Sequence, residues 1–167
     1  MVYLLIKFLA GLPPSWVVLL ISMIPIVELR GALPVALTVY KLNPLLAYCL
    51  SVVGNLLPVM LILLYIGPVS AWLAKHSRLM EKFFAWLFKR TRHKIGKNYE
   101  KYGLLALAIF VAIPLPMTGA WTGALAAWLF GIDNRRAFLA IVAGVMIAGI
   151  IVFLATTGIL NFLDFLI

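Results

Sequence analysis

The chain has 167 residues, of which 65% are hydrophobic and only 11% are charged. Soluble domains have an apolar share nearer one half, so this composition excludes an ordinary soluble domain and indicates an integral membrane protein. The formal net charge of +9 comes mainly from bases in residues 70–102, between apolar segments, which is typical of a cytoplasmic connection, and we expect no nucleic acid partner.

The N-terminal part of the chain contains one short and one long apolar stretch. Residues 1–12 are too short to cross the hydrocarbon core of a bilayer, which takes about 20 helical residues, and we expect an interfacial helix there. Residues 16–40 are long enough to cross, but they carry Glu28 and Arg30 near their centre, together with two prolines. One interpretation is a straight transmembrane helix with both charges at mid-depth.

Three physical objections weaken the straight helix. Residues two positions apart point about 200° away from each other on a helix, so Glu28 and Arg30 could not pair along it. A charge at the bilayer centre costs about 2.5 to 3.5 kcal/mol on insertion scales. Pro25 and Pro34 each remove a backbone hydrogen bond where no water can replace it. We therefore predict a re-entrant hairpin of two half-helices that turns near residues 28–31.

The middle of the chain predicts one full span and one surface helix. Residues 44–66 are a transmembrane span that begins with a proline in its first turn and ends at Gly67 and Pro68. Asn55 interrupts this span near mid-depth, either as a helix–helix hydrogen-bond partner or as a polar group that lines a cavity. In residues 72–101, apolar and basic side chains recur at helical spacing on different faces, which predicts an amphipathic helix on the membrane.

The second half of the chain resembles the first in its organisation. Pro114 and Pro116 split the apolar residues 104–130 into two arms. A polar loop at residues 131–136 then precedes a last full span, residues 137–157, and a short interfacial tail. The two arms predict a second re-entrant hairpin.

The two predicted hairpin turns echo each other. Residues 24–34 (IPIVELRGALP), which we call the first tip, correspond to residues 113–123 (IPLPMTGAWTG), the second tip. Hydroxyls and glycines replace the charges in the second tip. The Gly-Ala step recurs at an offset of 88 residues, and residues of the following span recur at an offset of 90. This ordered match predicts an internal repeat.

The repeat predicts an all-α transmembrane architecture. We expect a single domain over residues 1–167, with repeat 1 at residues 15–68, an amphipathic linker at residues 70–102 and repeat 2 at residues 103–158. One re-entrant hairpin plus one span makes a single crossing, so the second repeat enters from the opposite side. The repeats are then inverted, as in transporters that alternate access around a site at mid-depth.

The motifs ELRGALP at residues 28–34 and PLPMTGAWTG at residues 114–123 resemble those of the small multidrug export family of prokaryotic membrane proteins. That family in turn resembles a distant branch of the DedA superfamily, also called VTT or SNARE-associated. The resemblance implies a multi-pass protein of the cell membrane with two opposed re-entrant hairpins and a membrane-embedded acid at Glu28. It also implies movement of lipid head groups across the membrane, which in some members depends on the proton motive force. DedA proteins carry arginines in the second hairpin, whereas this chain has none between Lys101 and Arg135.

Glu28 and Arg30 carry the chemistry that we expect at the tips. A carboxyl in a poorly hydrated cavity beside a guanidinium can take up and release a proton, while the guanidinium can grip a phosphate in a bidentate fork. The structural alternative is a buried ion pair that only fixes the turn. The candidate site for substrate and protons collects charged, polar, glycine and proline positions: Pro25, Glu28, Arg30, Gly31, Pro34, Asn55, Pro114, Pro116, Thr118, Gly119, Thr122 and Gly123.

The leading hypothesis for function is a transporter or flippase of an amphiphilic, phosphate-bearing lipid, with protons as the coupling ion. The alternatives are a small multidrug exporter, in which Glu28 is the counter-charge of a cationic compound, and a membrane scaffold that transports nothing. No HExxH, GxSxG or P-loop motif is present and the acids are scattered, so we expect no enzymatic activity, cofactor or metal site. The expected partners are membrane lipids, a small amphiphilic substrate and, to enclose a pathway, a second copy of the chain in a homodimer.

Overall fold

The computed structural model describes residues 9, 11–92, 99–113 and 119–166, and the regular elements in this part of the chain are all helices. The predicted all-helical fold is confirmed for these residues, whereas the interfacial helix predicted at residues 1–12 lies almost wholly outside them. The helices in chain order are α1 Pro14–Ser22, α2 Glu28–Thr38, α3 Pro44–His76, α4 Arg78–Arg92, α5 Tyr99–Ala112, α6 Ala120–Phe130 and α7 Asn134–Leu166.

Two of these helices are long and apolar enough to cross a membrane. They are α3 and the portion Asn134–Ile159 of α7. Their outward faces carry large apolar side chains such as Met60 and Leu154, which are 52% and 62% exposed. An exposed apolar surface of this extent suits contact with lipid, and it supports the membrane location predicted from composition.

The first long helix, α3, begins where predicted but ends later. Asn43 caps its N-terminus, because the side-chain oxygen accepts a hydrogen bond of 3.0 Å from the backbone N–H of Leu45. We expected the helix to end at Gly67 and Pro68. This prediction is wrong, since α3 continues to His76.

Two polar side chains bond to carbonyls of α3 near Pro68, which lies inside the helix. Proline lacks the N–H that would bond to the carbonyl four residues earlier, and its ring crowds that turn of the helix. The side-chain amide of Asn134 donates to the carbonyl of Leu63 at 2.8 Å, and the hydroxyl of Ser70 donates to the carbonyl of Gly67 at 2.8 Å. The carbonyl that Pro68 leaves without its donor is that of Leu64, so these two bonds stabilise the helix around the proline and do not replace the missing bond.

Two other predicted boundaries are corrected by the structure. The amphipathic helix does not start at residue 72, because Ser77 breaks the chain with extended backbone (φ −142°, ψ 117°) and α4 begins only after it. The tail after residue 157 is not a separate element, because α7 runs on to Leu166. Gly158 does not end that helix, since one glycine costs a helix only about 1 kcal/mol.

Each long helix packs against short helices of both halves, where α1 to α3 form the first half and α5 to α7 the second. α3 packs on α1, α2 and α6, while α7 packs on α5, α6 and α2. The two long helices run antiparallel. The hydroxyl of Tyr48, near the start of α3, donates to the carbonyl of Met146 at 2.9 Å. Further along α3, Leu63 accepts from Asn134 at the start of α7.

The apolar core joins the two halves at the start of α2. Leu29 of α2 and Val52 of α3 belong to the same cluster of buried side chains as Ala120 of α6 and Val145 of α7. A second cluster lies within the first half and holds α1 against α2. The first residues of α2 and of α6 are therefore packed into the interface between the halves.

Gly54 and Gly144 let each long helix approach the first short helix of its own half. A Cβ at Gly54 would lie 2.5 Å from the carbonyl oxygen of Leu19, and one at Gly144 would lie 2.7 Å from the carbonyl oxygen of Ala108. A backbone oxygen within a helix cannot turn away as the end of a side chain can. Close approach of two backbones therefore requires glycine at both positions.

We expect Gly54→Ala and Gly144→Ala each to lower the free energy of unfolding by about 1 to 3 kcal/mol, because the added methyl group overpacks the contact between helices. Gly158→Ala is the control, since a Cβ there would meet nothing within 4 Å and alanine favours a helix. Unfolding curves of the purified variants in one detergent measure the difference. Equal stability of all three variants would contradict the close approach.

Candidate functional site at the crossed tips

The chain between α1 and α2 breaks before the charged residues. α1 ends at Ser22 and α2 begins at Glu28, so residues 23–27 form the turn. The turn predicted at residues 28–31 is therefore placed too late along the chain. Pro25 explains the earlier position, because it has no N–H with which to continue α1.

Glu28 opens α2 in an uncommon backbone conformation. Its φ is 50°, in the left-handed region that favours glycine. A larger residue in such a region costs on the order of 1 to 3 kcal/mol and persists where surrounding contacts hold it, often at functional sites. The side chain is only 5% exposed. Contacts of a buried carboxylate therefore stabilise this conformation.

The carboxylate of Glu28 binds the N-terminus of α6, in the other half of the chain. It accepts hydrogen bonds from the backbone N–H groups of Ala120 and Trp121, the first two residues of α6. Gly119 lies directly against the carboxylate, and a Cβ there would overlap both oxygens. A carboxylate in this place satisfies N–H groups that a helix start leaves unpaired, and it faces the positive end of the helix dipole.

Arg30 makes the opposite contact with the other side of the same break. Its Nη2 donates to the carbonyl of Ile113 at 3.3 Å, directly after the last residue of α5. The last carbonyls of a helix lack partners and form the negative end of its dipole, where a guanidinium is favourable. We call these two contacts, Glu28 with α6 and Arg30 with α5, the crossed caps.

The crossed caps explain how an apolar chain accommodates two charges. A charge at the bilayer centre costs about 2.5 to 3.5 kcal/mol. A helix cap contributes about 0.5 to 2 kcal/mol, and a charge at a partly buried helix end contributes up to about 2 kcal/mol. Glu28 and Arg30 also attract each other. From the sequence, an ion pair between Glu28 and Arg30 is the structural alternative to a functional site. The attraction between the two charges acts together with the contacts across the tips.

The other predicted residues of the first tip make contacts within the first half. Pro25 is exposed in the turn, and Pro34 lies inside α2. The hydroxyl of Thr38 donates to the carbonyl of Pro34 at 2.8 Å. Gly31 lets the first turn of α2 close on Val27, whose side chain a Cβ at position 31 would overlap. These contacts give Gly31 and Pro34 a role in the shape of the hairpin, and Pro25 lies at its turn.

The predicted residues of the second tip divide between two contacts. Gly119 serves the contact with Glu28, whereas Gly123 lets α6 pack on α5, because a Cβ there would lie 2.6 Å from the side chain of Val111. The hydroxyl of Thr122 donates to the carbonyl of Gly119 at 2.9 Å and so bonds the first turn of its own helix. Three predicted residues lie outside the described part of the chain: Pro114, Pro116 and Thr118.

Three buried polar atoms have no hydrogen-bond partner among the described residues: Ser51 Oγ, Asn55 Oδ1 and Trp121 Nε1. Both interpretations of Asn55, as a helix–helix hydrogen-bond partner and as a polar group that lines a cavity, therefore remain predictions. Ser51 was not predicted, since a serine in a helix commonly donates to its own backbone. Among the same residues, no group of three or more His, Cys, Asp and Glu could hold a metal ion.

The backbone partners of the two charges were not predicted from the sequence. They are the N–H groups at the start of α6 and the carbonyl that follows α5. The signal that could have revealed them is the pair of prolines in the second tip, because a broken helix leaves both donors and acceptors in need of partners. The facing tip contains one acid and one base, which matches that need.

A family model matches most of the chain. Its description is "Putative small multi-drug export protein", and it matches residues 28–151 of the 167. The matched region begins at Glu28 and contains α2 to α6, both crossed caps and the first part of α7. No curated protein and no solved structure was found to match the chain.

Gly119→Ala tests the contact between the tips. The added methyl group displaces the carboxylate of Glu28 from the N–H groups of α6, so we expect the free energy of unfolding to fall by about 1 to 3 kcal/mol. In a Glu28→Ala background the same substitution should cost much less, because no carboxylate remains to be displaced. Equilibrium unfolding of the wild type, both single variants and the double variant measures this coupling.

The control for this cycle is Gly123→Ala, whose added methyl group meets Val111 and not the carboxylate. Its cost should add to that of Glu28→Ala within about 0.5 kcal/mol. Strict additivity of Gly119→Ala with Glu28→Ala would show that the carboxylate does not lie against Gly119.

Proposed function

The chain belongs to the family described as "Putative small multi-drug export protein", and from this membership and the crossed caps we propose that it exports a small cationic amphiphile in exchange for protons. The observation that carries the proposal is the buried carboxylate of Glu28 where the two halves meet. Ionisable residues inside a membrane commonly mark ion and substrate pathways. One acid that binds either a proton or a cation is sufficient for the exchange.

We also propose that the two halves are inverted repeats, each a re-entrant hairpin with one span. The antiparallel arrangement of α3 and α7 supports this. When residues 44–60 are aligned with residues 134–150, the two segments also have the same pattern of buried and exposed side chains, except at Val52 and Leu56 and the residues aligned with them. α1 and α2 have 9 and 11 residues, each about half the length that crosses a bilayer. Halves related in this way rock about a site at mid-depth.

Protonation of Glu28 is the step that would release the tips. Hydrogen bonds to a charged carboxylate are roughly twice as strong as those to a neutral group. The neutral acid also loses its attraction to the positive end of α6 and to Arg30. Proton binding therefore weakens one of the crossed caps and lets the halves part. After the proton leaves, the carboxylate can bind a cationic substrate, so that proton and substrate compete for one charge.

Flipping of a phosphate-bearing lipid is the second candidate function. An open apolar groove of about 280 Å³ between α3 and α7 favours it, because such a groove suits an acyl chain. The guanidinium of Arg30 suits a lipid phosphate, and the resemblance to the DedA superfamily agrees with this candidate. The groove is lined by Pro44, Leu45, Tyr48, Ile150 and Phe153.

We propose that α4 lies on the cytoplasmic surface of the membrane. On one face, Phe84 packs edge-to-face on Trp128 of α6, with the ring centroids 6.0 Å apart. On another face, Leu79 and Trp86 are 72% and 53% exposed. Apolar side chains beside bases suit an anionic leaflet, and a basic connection agrees with the positive-inside rule. Three exposed bases border the apolar face: Arg78, Lys82 and Lys89.

Transport by the purified protein in liposomes tests the proposed export. With an acidic interior, a fluorescent lipophilic cation should enter wild-type vesicles faster than protein-free ones, and collapse of the pH gradient should stop the uptake. Glu28→Gln should reduce uptake at least about tenfold, because an amide cannot exchange a proton. Glu81→Gln is the matched control, since this acid is exposed on α4, and it should keep the wild-type rate.

A headgroup-labelled phospholipid in the same vesicles separates the second candidate. Lipid flipping that is lost in both Glu28→Gln and Arg30→Ala, without cation uptake by the wild type, would favour the flippase. Transport of neither probe by the wild type would contradict both functions and favour the membrane scaffold. Cation uptake that persists in Glu28→Gln would refute proton exchange at this acid.

A further inference from the structure

Ser51 and Asn55 each have a buried side-chain oxygen that forms no hydrogen bond within the described residues. Ser51 is fully buried and Asn55 is 3% exposed. Neither the hydroxyl oxygen of the first nor the amide oxygen of the second is hydrogen-bonded within the described residues. Buried polar atoms in native proteins are almost always paired, so each exception calls for an explanation. The two residues are four positions apart on α3 and therefore lie on one face.

Packing does not require polar side chains at these positions. The positions 90 residues later, on α7, are Ile141 and Val145, which are 0% and 1% exposed. Both belong to the main apolar cluster. The corresponding place in the second half is thus filled by apolar side chains alone. The oxygens of Ser51 and Asn55 therefore need a reason other than packing.

The face that carries Ser51 and Asn55 is directed towards the interface between the two halves. On one side of it, Gly54 contacts α1 of the same half. On the other side, Val52 belongs to the cluster that includes α6 and α7. At about 100° per residue, the two polar positions fall between Gly54 and Val52 around the axis of α3.

The same turn of α3 packs against elements that lead into the crossed caps. Gly54, next to Asn55, touches the end of α1, just before the chain breaks. Leu29, which follows Glu28, and Ala120, which donates to its carboxylate, share one apolar cluster with α3. The turn of α3 that carries the two oxygens therefore neighbours the end of α1, and it packs into the same apolar core as the first residues of α2 and α6.

We propose that Ser51 and Asn55 form, together with Glu28, a binding subsite for the primary ammonium group of the exported compound. The inference rests on the proposed export of a cation and names the chemistry of that cation. A primary ammonium has three N–H donors and no acceptor. The subsite offers a hydroxyl oxygen, an amide oxygen and a carboxylate. When the tips part, the ammonium takes the place that the N–H groups of α6 hold on the carboxylate.

Binding of two small cations to the full-length protein in lipid nanodiscs tests the subsite. Benzylammonium and benzyltrimethylammonium share one ring and one charge, but only the first has N–H donors. We expect the wild type to bind benzylammonium at least about tenfold more tightly in calorimetric titrations, as hydrogen bonds to a charged group imply. Ser51→Ala and Asn55→Val should each reduce this preference by about threefold to tenfold.

Ser70→Ala is the matched control on the same helix. Its hydroxyl is also buried but already donates to the carbonyl of Gly67, so this variant should keep the wild-type preference. Thermal unfolding provides the check on folding. Ser51→Ala and Asn55→Val remove unpaired oxygens, and their midpoints should equal or exceed that of the wild type.

Three outcomes would overturn the subsite: equal binding of both cations by the wild type, binding of neither, or a preference that both variants retain. The proposed export is tested separately from the subsite, by the uptake of the lipophilic cation into liposomes. If Glu28→Gln still abolishes uptake of the lipophilic cation in liposomes, export stands without the ammonium subsite. If Glu28→Gln transports normally, the exchange mechanism fails whatever the two ammonium probes show.

Discussion

A broken helix leaves backbone donors and acceptors without partners, and the rest of this structure depends on how that need is met. The break between α5 and α6 leaves N–H groups at Ala120 and Trp121 and a carbonyl at Ile113. The acid of the first tip binds the former and the base binds the latter. Each half is therefore stabilised by the other, and both charges have backbone partners in the facing tip.

A contact of this kind can serve both stability and movement. In the proposed exchange, the charge on Glu28 holds the tips together and a proton removes that charge. A switch of this general form uses a local change of charge to bias an element that has two arrangements. The halves are not equivalent at this contact, although residues 44–60 and 134–150 are buried alike. The first tip supplies the charges, and the second supplies backbone groups and the close approach at Gly119. In the proposed export, this one acid binds the proton and the cation in turn.

Local pattern predicted much of the fold, and long-range contacts account for what it missed. Long apolar runs predicted the spans, and Pro25 marks a break that the charges suggested a few residues too late. α3 continues through Pro68, where the local pattern predicted its end, and Asn134 donates to the carbonyl of Leu63 near that point, 71 positions away in sequence. No local rule contains that contact. Glu28 was predicted as a candidate site residue because a charge in an apolar run is costly, but its partners are main-chain atoms without a residue-type signal. Ser51 was missed because its significance lies in the lack of a described partner.

Hydrogen–deuterium exchange of a peptide covering residues 119–123 tests the central claim most directly, because it reports on the N–H groups that the carboxylate is said to bind. In the wild type at neutral pH these amides should exchange slowly. In Glu28→Gln they should exchange about 5 to 30 times faster, because a loss of about one to two kcal/mol of local stability implies this factor. The exchange rates of amides in the middle of α3 should not change. Identical exchange at the start of α6 in the two proteins would contradict the crossed caps.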